Sequence, residues 1–232
     1  MQISHKLLYW ASRPIVLSYT NMMLQMDVQA HRTLPPGPKI IAANHPSTTD
    51  PFFVAAMLRQ QSFILIKDVL FQVPVFGRYL RSSGHIPVQV GNGQAALDEA
   101  LTRLSEGRTV MIFPEGILSP ENGYHPARSG VARLALISGA PVVPVGIHLE
   151  RARMRVIRSI VRGKVEYGAW YLRGPYNLTI GEPLRFSGDA DDRPFVRSVA
   201  DRVMHHIIEL ARESELRMNR TLTPLTSLSE SV

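Results

Sequence analysis

The sequence predicts an α/β fold: a mainly parallel sheet flanked by helices, with an interfacial helix at the N-terminus and another helix at the C-terminus. Two observations carry this. After Pro35-Pro36-Gly37-Pro38, short β-rich runs alternate with amphipathic runs of helical period. Glycines stand where helices of that length should end. With 232 residues, 45% of them hydrophobic and 19% charged, the chain can build a large core and is neither disordered nor fibrous.

Residues 1–34 read as a helical, membrane-associating segment. Leu7–Trp10, Ile15–Leu17 and Met22–Met26 are apolar, interrupted by Arg13 and Pro14. Trp10, Tyr9 and Tyr19 beside Lys6 and Arg13 suit a helix in a membrane interface, or equally one packed on its own domain. The segment lacks an apolar stretch followed by a small-residue cleavage site, so a signal peptide is not expected. No run approaches the roughly 18 consecutive apolar residues of a membrane span.

Residues 35–217 read as one domain. Ile40–Ala43 is expected as a strand and Pro51–Arg59 as a helix. Phe63–Ile66 and Ile86–Gln89 follow as strands. In 94–106, Ala96, Leu97, Ala100, Leu101 and Leu104 fall on one helical face, ended by Gly107. Thr109–Phe113 is a strand, Gly130–Ser138 a helix closed by Gly139, and Val142–His148 another strand. Trp170–Ile180 supplies one or two edge strands. In 192–216, Phe195, Val199, Val203, Ile207 and Leu210 recur at helical spacing. The tail, residues 218–232, is Ser-, Thr- and Pro-rich and reads as disordered.

Charge narrows the function. Lys plus Arg total 26 against 19 Asp plus Glu, a formal +7, and the pI is near 10.0. That balance favours an anionic partner: nucleic acid, membrane or substrate. Residues 151–173 hold seven basic side chains against Glu166, while the rest of the chain holds 19 against 18. Arg151, Arg155, Arg158 and Arg162 recur at helical spacing among apolar residues, the pattern of a basic amphipathic helix on a membrane. Each such side chain gains about 1 kcal/mol near anionic lipid. No nucleic-acid module, stacking platform or zinc-ligand pattern is present, so nucleic acid is not an expected partner. No Gly-x-Ser-x-Gly elbow supports a serine hydrolase. The chain has no Cys, which excludes disulfides and a thiol nucleophile.

Asn44-His45-Pro46-Ser47-Thr48-Thr49-Asp50-Pro51 follows directly on a buried strand. In a parallel sheet, sites form beyond the carboxyl ends of strands. The turn lets Asp50 reach back to His45, and a carboxylate-held imidazole can take a proton from a hydroxyl. The same residues would also serve as a helix N-cap and a loop filler.

Asn44-His45-x4-Asp50 resembles the NHxxxxD motif of the glycerolipid acyltransferase family, whose best-known activity acylates 1-acylglycerol 3-phosphate. Three further blocks keep the family's order: Gly84-x-Ile86-Pro87-Val88, Phe113-Pro114-Glu115-Gly116 and Val143-Pro144-Val145-Gly146-Ile147. The resemblance covers about residues 38 to 150. It implies an O-acyltransferase of phospholipid biosynthesis, peripheral at the cytoplasmic membrane face, with membrane lipids as partners. The implied donor is acyl-CoA or acyl-carrier protein. His45 would be the base and Asp50 its orienting partner. Asn44, Pro114, Glu115 and Gly116 would shape the acceptor site. Neither cofactor nor metal nor covalent acyl-enzyme is implied.

The match breaks at two positions. Relatives with phosphate acceptors commonly place Arg where this chain has Val90 and Leu118. Arg78, Arg81 and Arg128 are candidate replacements. The breaks leave open a non-phosphate lysolipid or glycolipid acceptor, and a lipid- or nucleic-acid-binding protein without catalysis is the remaining alternative. Trp10 and the four arginines of 151–162 are the expected membrane contacts.

Overall fold

A computed structural model of the chain describes residues 2–58, 60–89, 91–161 and 164–222. Helix α1 (Gln2–Met23) leads into strand β1 (Leu24–Ala30). Then come β2 (Lys39–Ala43), α2 (Asp50–Met57), β3 (Ser62–Lys67), α3 (Phe76–Ser82) and β4 (Ile86–Val88). α4 (Gln94–Ser105), β5 (Thr109–Ile112), α5 (Gly130–Ser138) and β6 (Val142–Leu149) follow. β7 (Arg155–Val161), β8 (Lys164–Trp170), β9 (Gly174–Ile180) and α6 (Arg193–Leu222) complete the chain.

The main sheet has the order β1-β9-β6-β2-β5-β3-β4. Only β6 and β9 pair antiparallel; the other neighbours are parallel. The central strands β2 and β5 are buried throughout, as a strand covered on both faces requires. Ile40, Ala42, Val110 and Ile112 face the layer of α4, α5 and α6. Ile41, Ala43, Met111 and Val145 face the layer that contains α2 and α3. Parallel strands joined by helices leave the ends of β2, β5 and β6 side by side at one edge, where the next residues become loops.

Helix α6 lies directly on β6 because Gly146 has no side chain; a Cβ there would meet the Ala211 backbone nitrogen at 2.1 Å. Gly139 closes α5 in the left-handed region at φ +65°, as its position in the sequence implied.

Several expectations change. β9 is an interior strand, because β1 pairs along its outer side. The segment read as 1–34 therefore contributes the sheet's edge strand. β1 had no local signal, since its polar, largely exposed side chains blur the alternation and its partner lies about 150 residues away. Helix α1 runs through Pro14 unbroken. Val16 and Tyr19 pack on the domain, while Trp10, Ile15, Met22 and Met23 face outward. The closing helix extends to Leu222, so the residues 218–222 expected in a disordered tail are helical, and 223–232 lie outside the described residues.

His85, in the Gly84-His85-Ile86 block, is buried and accepts a hydrogen bond at Nδ1 from the Ile64 amide (3.3 Å). Burial lowers its pKa to about 4. The folded state therefore keeps this imidazole neutral while the unfolded chain protonates near 6.5. Its stabilising contribution is complete above pH 6.5 and is lost as pH falls toward 4, about 3 kcal/mol over that window. Urea midpoints measured from pH 7 to pH 4 should fall, and His85→Gln should flatten that dependence.

Candidate active site

β2 ends at Ala43, and the next two residues set the site. The Asn44 side chain is buried, and its amide bonds both ways with the Ile147 backbone (Nδ2 to O, 2.9 Å; Oδ1 from N, 2.7 Å). Asn44 thus clamps β2 to β6 instead of facing a substrate, which corrects its expected binding role. That clamp fixes the direction in which His45 leaves the strand.

His45 stacks on Phe113, with ring centroids 4.2 Å apart, and its Nδ1 lies 3.1 Å from Asp50 Oδ2. The Asp50 carboxylate also accepts from the Ser47 amide (2.7 Å) and the Tyr176 hydroxyl (2.9 Å). A carboxylate oxygen accepts, so Nδ1 carries the ring hydrogen and Nε2 presents a lone pair. His45 retains 18% side-chain exposure and Asp50 none, so only the imidazole can be reached from outside. Asp50 is the first residue of α2, and its carboxylate turns back into the loop; Thr49 holds the N-cap position. The expectation of Asp50 as N-cap is thereby corrected.

Burial pushes the Asp50 carboxyl up, and the three donors oppose that by stabilising the anion. Tyr176 is buried and its own pKa is raised well above 10, so it stays a donor. Tyr176→Phe should remove one donor, push Asp50 higher and move the acid limb of the pH–rate profile to higher pH. A loss in rate of about tenfold is expected from one hydrogen bond to a charged group. A rate profile on both enzymes checks it.

The loop is held from two sides. Ser47 Oγ accepts from the Tyr171 amide (3.1 Å), and the Thr48 amide donates to the Ala169 carbonyl (2.7 Å). On the other side stands Glu115, which follows β5 and is buried. Its Oε1 accepts from Ser119 Oγ (2.6 Å) and from the His45 amide (3.1 Å), and its Oε2 accepts from the His125 amide (2.9 Å). The Ser119 amide returns a bond to the His45 carbonyl (2.8 Å). Glu115 thus holds the His45 backbone, and its two oxygens are taken up by the His45 amide, Ser119 and the His125 amide. Pro114 is buried and accepts from the Arg128 amide (2.8 Å). Gly116 takes φ +72°, and a Cβ there would lie 2.6 Å from Arg128 Nε, so the glycine lets Arg128 lie across the turn.

Arg151 is half-buried, and its Nη1 donates to the Ser119 carbonyl (3.2 Å). It therefore belongs beside the site as much as to the basic segment. Arg128 and Arg151 flank the 114–119 turn, where Leu118 takes the place of a family arginine. Arg81 instead donates to the Phe71 carbonyl, tying α3 to the turn before it. Val90 lies outside the described residues.

The basic segment is not helical. Arg151–Arg153 forms one 3-10 turn, and β7 and β8 then pair as a separate antiparallel ribbon. Its β-branched residues, Val156, Ile157, Ile160, Val161 and Val165, favour a strand over the helix that the arginine spacing suggested. Arg155 and Arg158 are exposed on it, and Arg162 lies outside the described residues. Trp10 is 47% exposed, with the Arg13 guanidinium 5.7 Å from its ring centroid. Among the described residues no group of three or more His, Cys, Asp or Glu could hold a metal ion.

Sequence reasoning missed Tyr176, Tyr171 and Ser47. The tyrosines lie more than 120 residues from the loop they hold, and no local pattern links them to it. Ser119 lies three residues beyond the Phe113–Gly116 block and was not singled out.

Residues 25–148, more than half of the chain, match the family model Acyltransferase. The chloroplastic 1-acyl-sn-glycerol-3-phosphate acyltransferase of Brassica napus is 28% identical over 141 residues, 59% of this chain and 39% of that protein. The Pseudomonas aeruginosa 1-acyl-sn-glycerol-3-phosphate acyltransferase is 28% identical over 140 residues, 59% of this chain and 54% of that one. An N-acylphosphatidylethanolamine synthase of Arabidopsis thaliana is 32% identical over 48% of this chain and 43% of its own length. The chain thus spans about half or less of the length of these curated relatives. Among solved structures, the 1-acyl-sn-glycerophosphate acyltransferase of Thermotoga maritima matches with TM-score 0.57 and 23% identity, over 87% of this chain and 78% of that one, and so shares the fold.

Proposed function

The chain belongs to the Acyltransferase family, and from that premise we propose that it moves a fatty acyl chain from a thioester to the hydroxyl of a lysophospholipid. The favoured acceptor is 1-acylglycerol 3-phosphate, in phospholipid synthesis; the donor is acyl-CoA or acyl-carrier protein. The observation that carries this is the His45–Asp50 pair at the end of β2, locked by Glu115 and Tyr176.

His45 Nε2 takes the acceptor's hydroxyl proton. The alkoxide oxygen attacks the thioester carbonyl carbon, and the tetrahedral intermediate expels the thiolate as the C–S bond breaks. The thiolate recovers the proton from the imidazolium, which Asp50 stabilises in the interval. Such a base is typically worth ~10²–10⁴ in rate. Arg128 and Arg151 support an anionic head group, since guanidinium grips phosphate in a fork. No described helix is long and apolar enough to cross a membrane. Peripheral binding at the cytoplasmic face supplies access to the lipid.

Leu118, half-buried and without a donor, favours a second reading with a different head group. A panel of lysolipids with labelled acyl-CoA separates the two. The first reading expects 1-acylglycerol 3-phosphate to be the best acceptor. Equal or better transfer to a lysolipid without a phosphomonoester would favour the second, and no transfer to any acceptor would refute both.

A further inference from the structure

We propose that the β7–β8 ribbon is the element that docks the protein on anionic bilayers, with one face against the lipid and the other toward the His45 loop. The inference rests on the acyltransferase reading for its purpose, but its evidence is separate. The ribbon is an excursion between β6 and β9 and forms its own two-stranded sheet. An isolated hairpin is marginal in water, and this one leaves nearly all of β7 exposed.

Cross-strand register assigns its faces. Residues directly opposite share a face, so Val156/Ala169, Arg158/Tyr167 and Ile160/Val165 form one side. Of these, Val156, Ile160 and Tyr167 are 70%, 66% and 66% exposed, and Val165 is also exposed. The other side carries Ile157/Gly168 and Arg155/Trp170. A Cβ on Gly168 would lie 3.3 Å from Thr48 Oγ1, so at its base this second side looks toward the catalytic loop. The first side looks away from it, apolar with an aromatic and an arginine at its centre.

Charge chooses the occupant. Arg158 is exposed at the centre of the first side, and Arg155 is exposed at the base of the second. Apolar side chains among cations match an anionic lipid surface. The surface continues past the ribbon. Tyr19 donates to the Leu172 carbonyl, and a cleft of about 390 Å³ between the end of α1 and the ribbon's base is lined by Met22, Met23, Arg153 and Arg173. Met22 is 80% exposed and Met23 48%. Apolar side chains thus flank Arg173, while Arg153 beside it is paired with Glu150.

The test is flotation of the full chain with vesicles of phosphatidylglycerol and phosphatidylcholine, or of phosphatidylcholine alone. The wild type should float with the anionic vesicles. Ile160→Ser with Val165→Ser should weaken that binding at least about tenfold, and Arg158→Ala should weaken it about fivefold at low salt. Both variants should keep their melting temperature and their transfer to a water-soluble short-chain lysolipid. Unchanged binding in both variants would overturn the proposal. So would a shift from dimer to monomer by sedimentation with vesicle binding intact, which would make the ribbon an interface between copies. Ribbon-dependent binding by a protein that acylates nothing would uphold docking and remove the acyltransferase reading alone.

Discussion

Replacing His45 with Ala is expected to reduce acyl transfer by about 10³-fold or more, toward the uncatalysed rate. The imidazole is the reachable half of the pair, and the other half is sealed. Without it, the hydroxyl must attack at its own poor nucleophilicity, and the departing thiolate has no nearby proton. General-base assistance alone is worth ~10²–10⁴. The backbone of residue 45 would still donate to Glu115 and Ser119 and accept from the Ser119 amide. The fold and vesicle binding should therefore survive. Initial rates with saturating donor, paired with thermal melts, check both halves of the expectation.

Asp50→Asn should cost nearly as much, between about 10² and 10⁴. The shape of the side chain is kept, but its hydrogen bonds are not. The carboxylate accepts from the Ser47 amide, from His45 and from Tyr176 at once. An amide has one acceptor oxygen and one donor nitrogen. If its NH₂ turns toward His45, Nδ1 must become the acceptor, and the hydrogen moves to Nε2. The lone pair then points at Asp50's position instead of at the substrate. If the NH₂ turns toward Tyr176, that hydroxyl must reverse. Either way the imidazolium loses its buried counter-charge. The loss should appear in kcat with little change in KM for the donor, because Asp50 has no exposed surface to bind with.

The parts of the fold that came through in the sequence are those with local signals. β2, α4, α5 and β6 were legible because apolar period and terminal glycines act over a few residues. β1 was not, because it is a strand only by virtue of β9, about 150 residues on. The basic segment misled because arginines at intervals of three and four fit a helix, while the β-branched residues between them favour a strand. At the site, His45 and Asp50 were legible because the pair is made within five residues. Glu115 was identified as a site residue, but its role was not. Only the packing of the β5 turn against the β2 turn shows it holding the His45 backbone. Asn44 shows the same limit: a polar residue beside a base reads as a ligand until its amide is seen closed on Ile147.

In the proposed mechanism an acceptor hydroxyl that His45 deprotonates attacks directly, and no acyl group is ever held by the protein. Rapid-mixing measurement of thiol release from acyl-CoA, with and without 1-acylglycerol 3-phosphate, tests this most directly. Thiol release with donor alone should be no faster than slow hydrolysis, and it should rise in step with ester formation once the acceptor is added. A burst of thiol equal to the enzyme concentration in the absence of acceptor would contradict it.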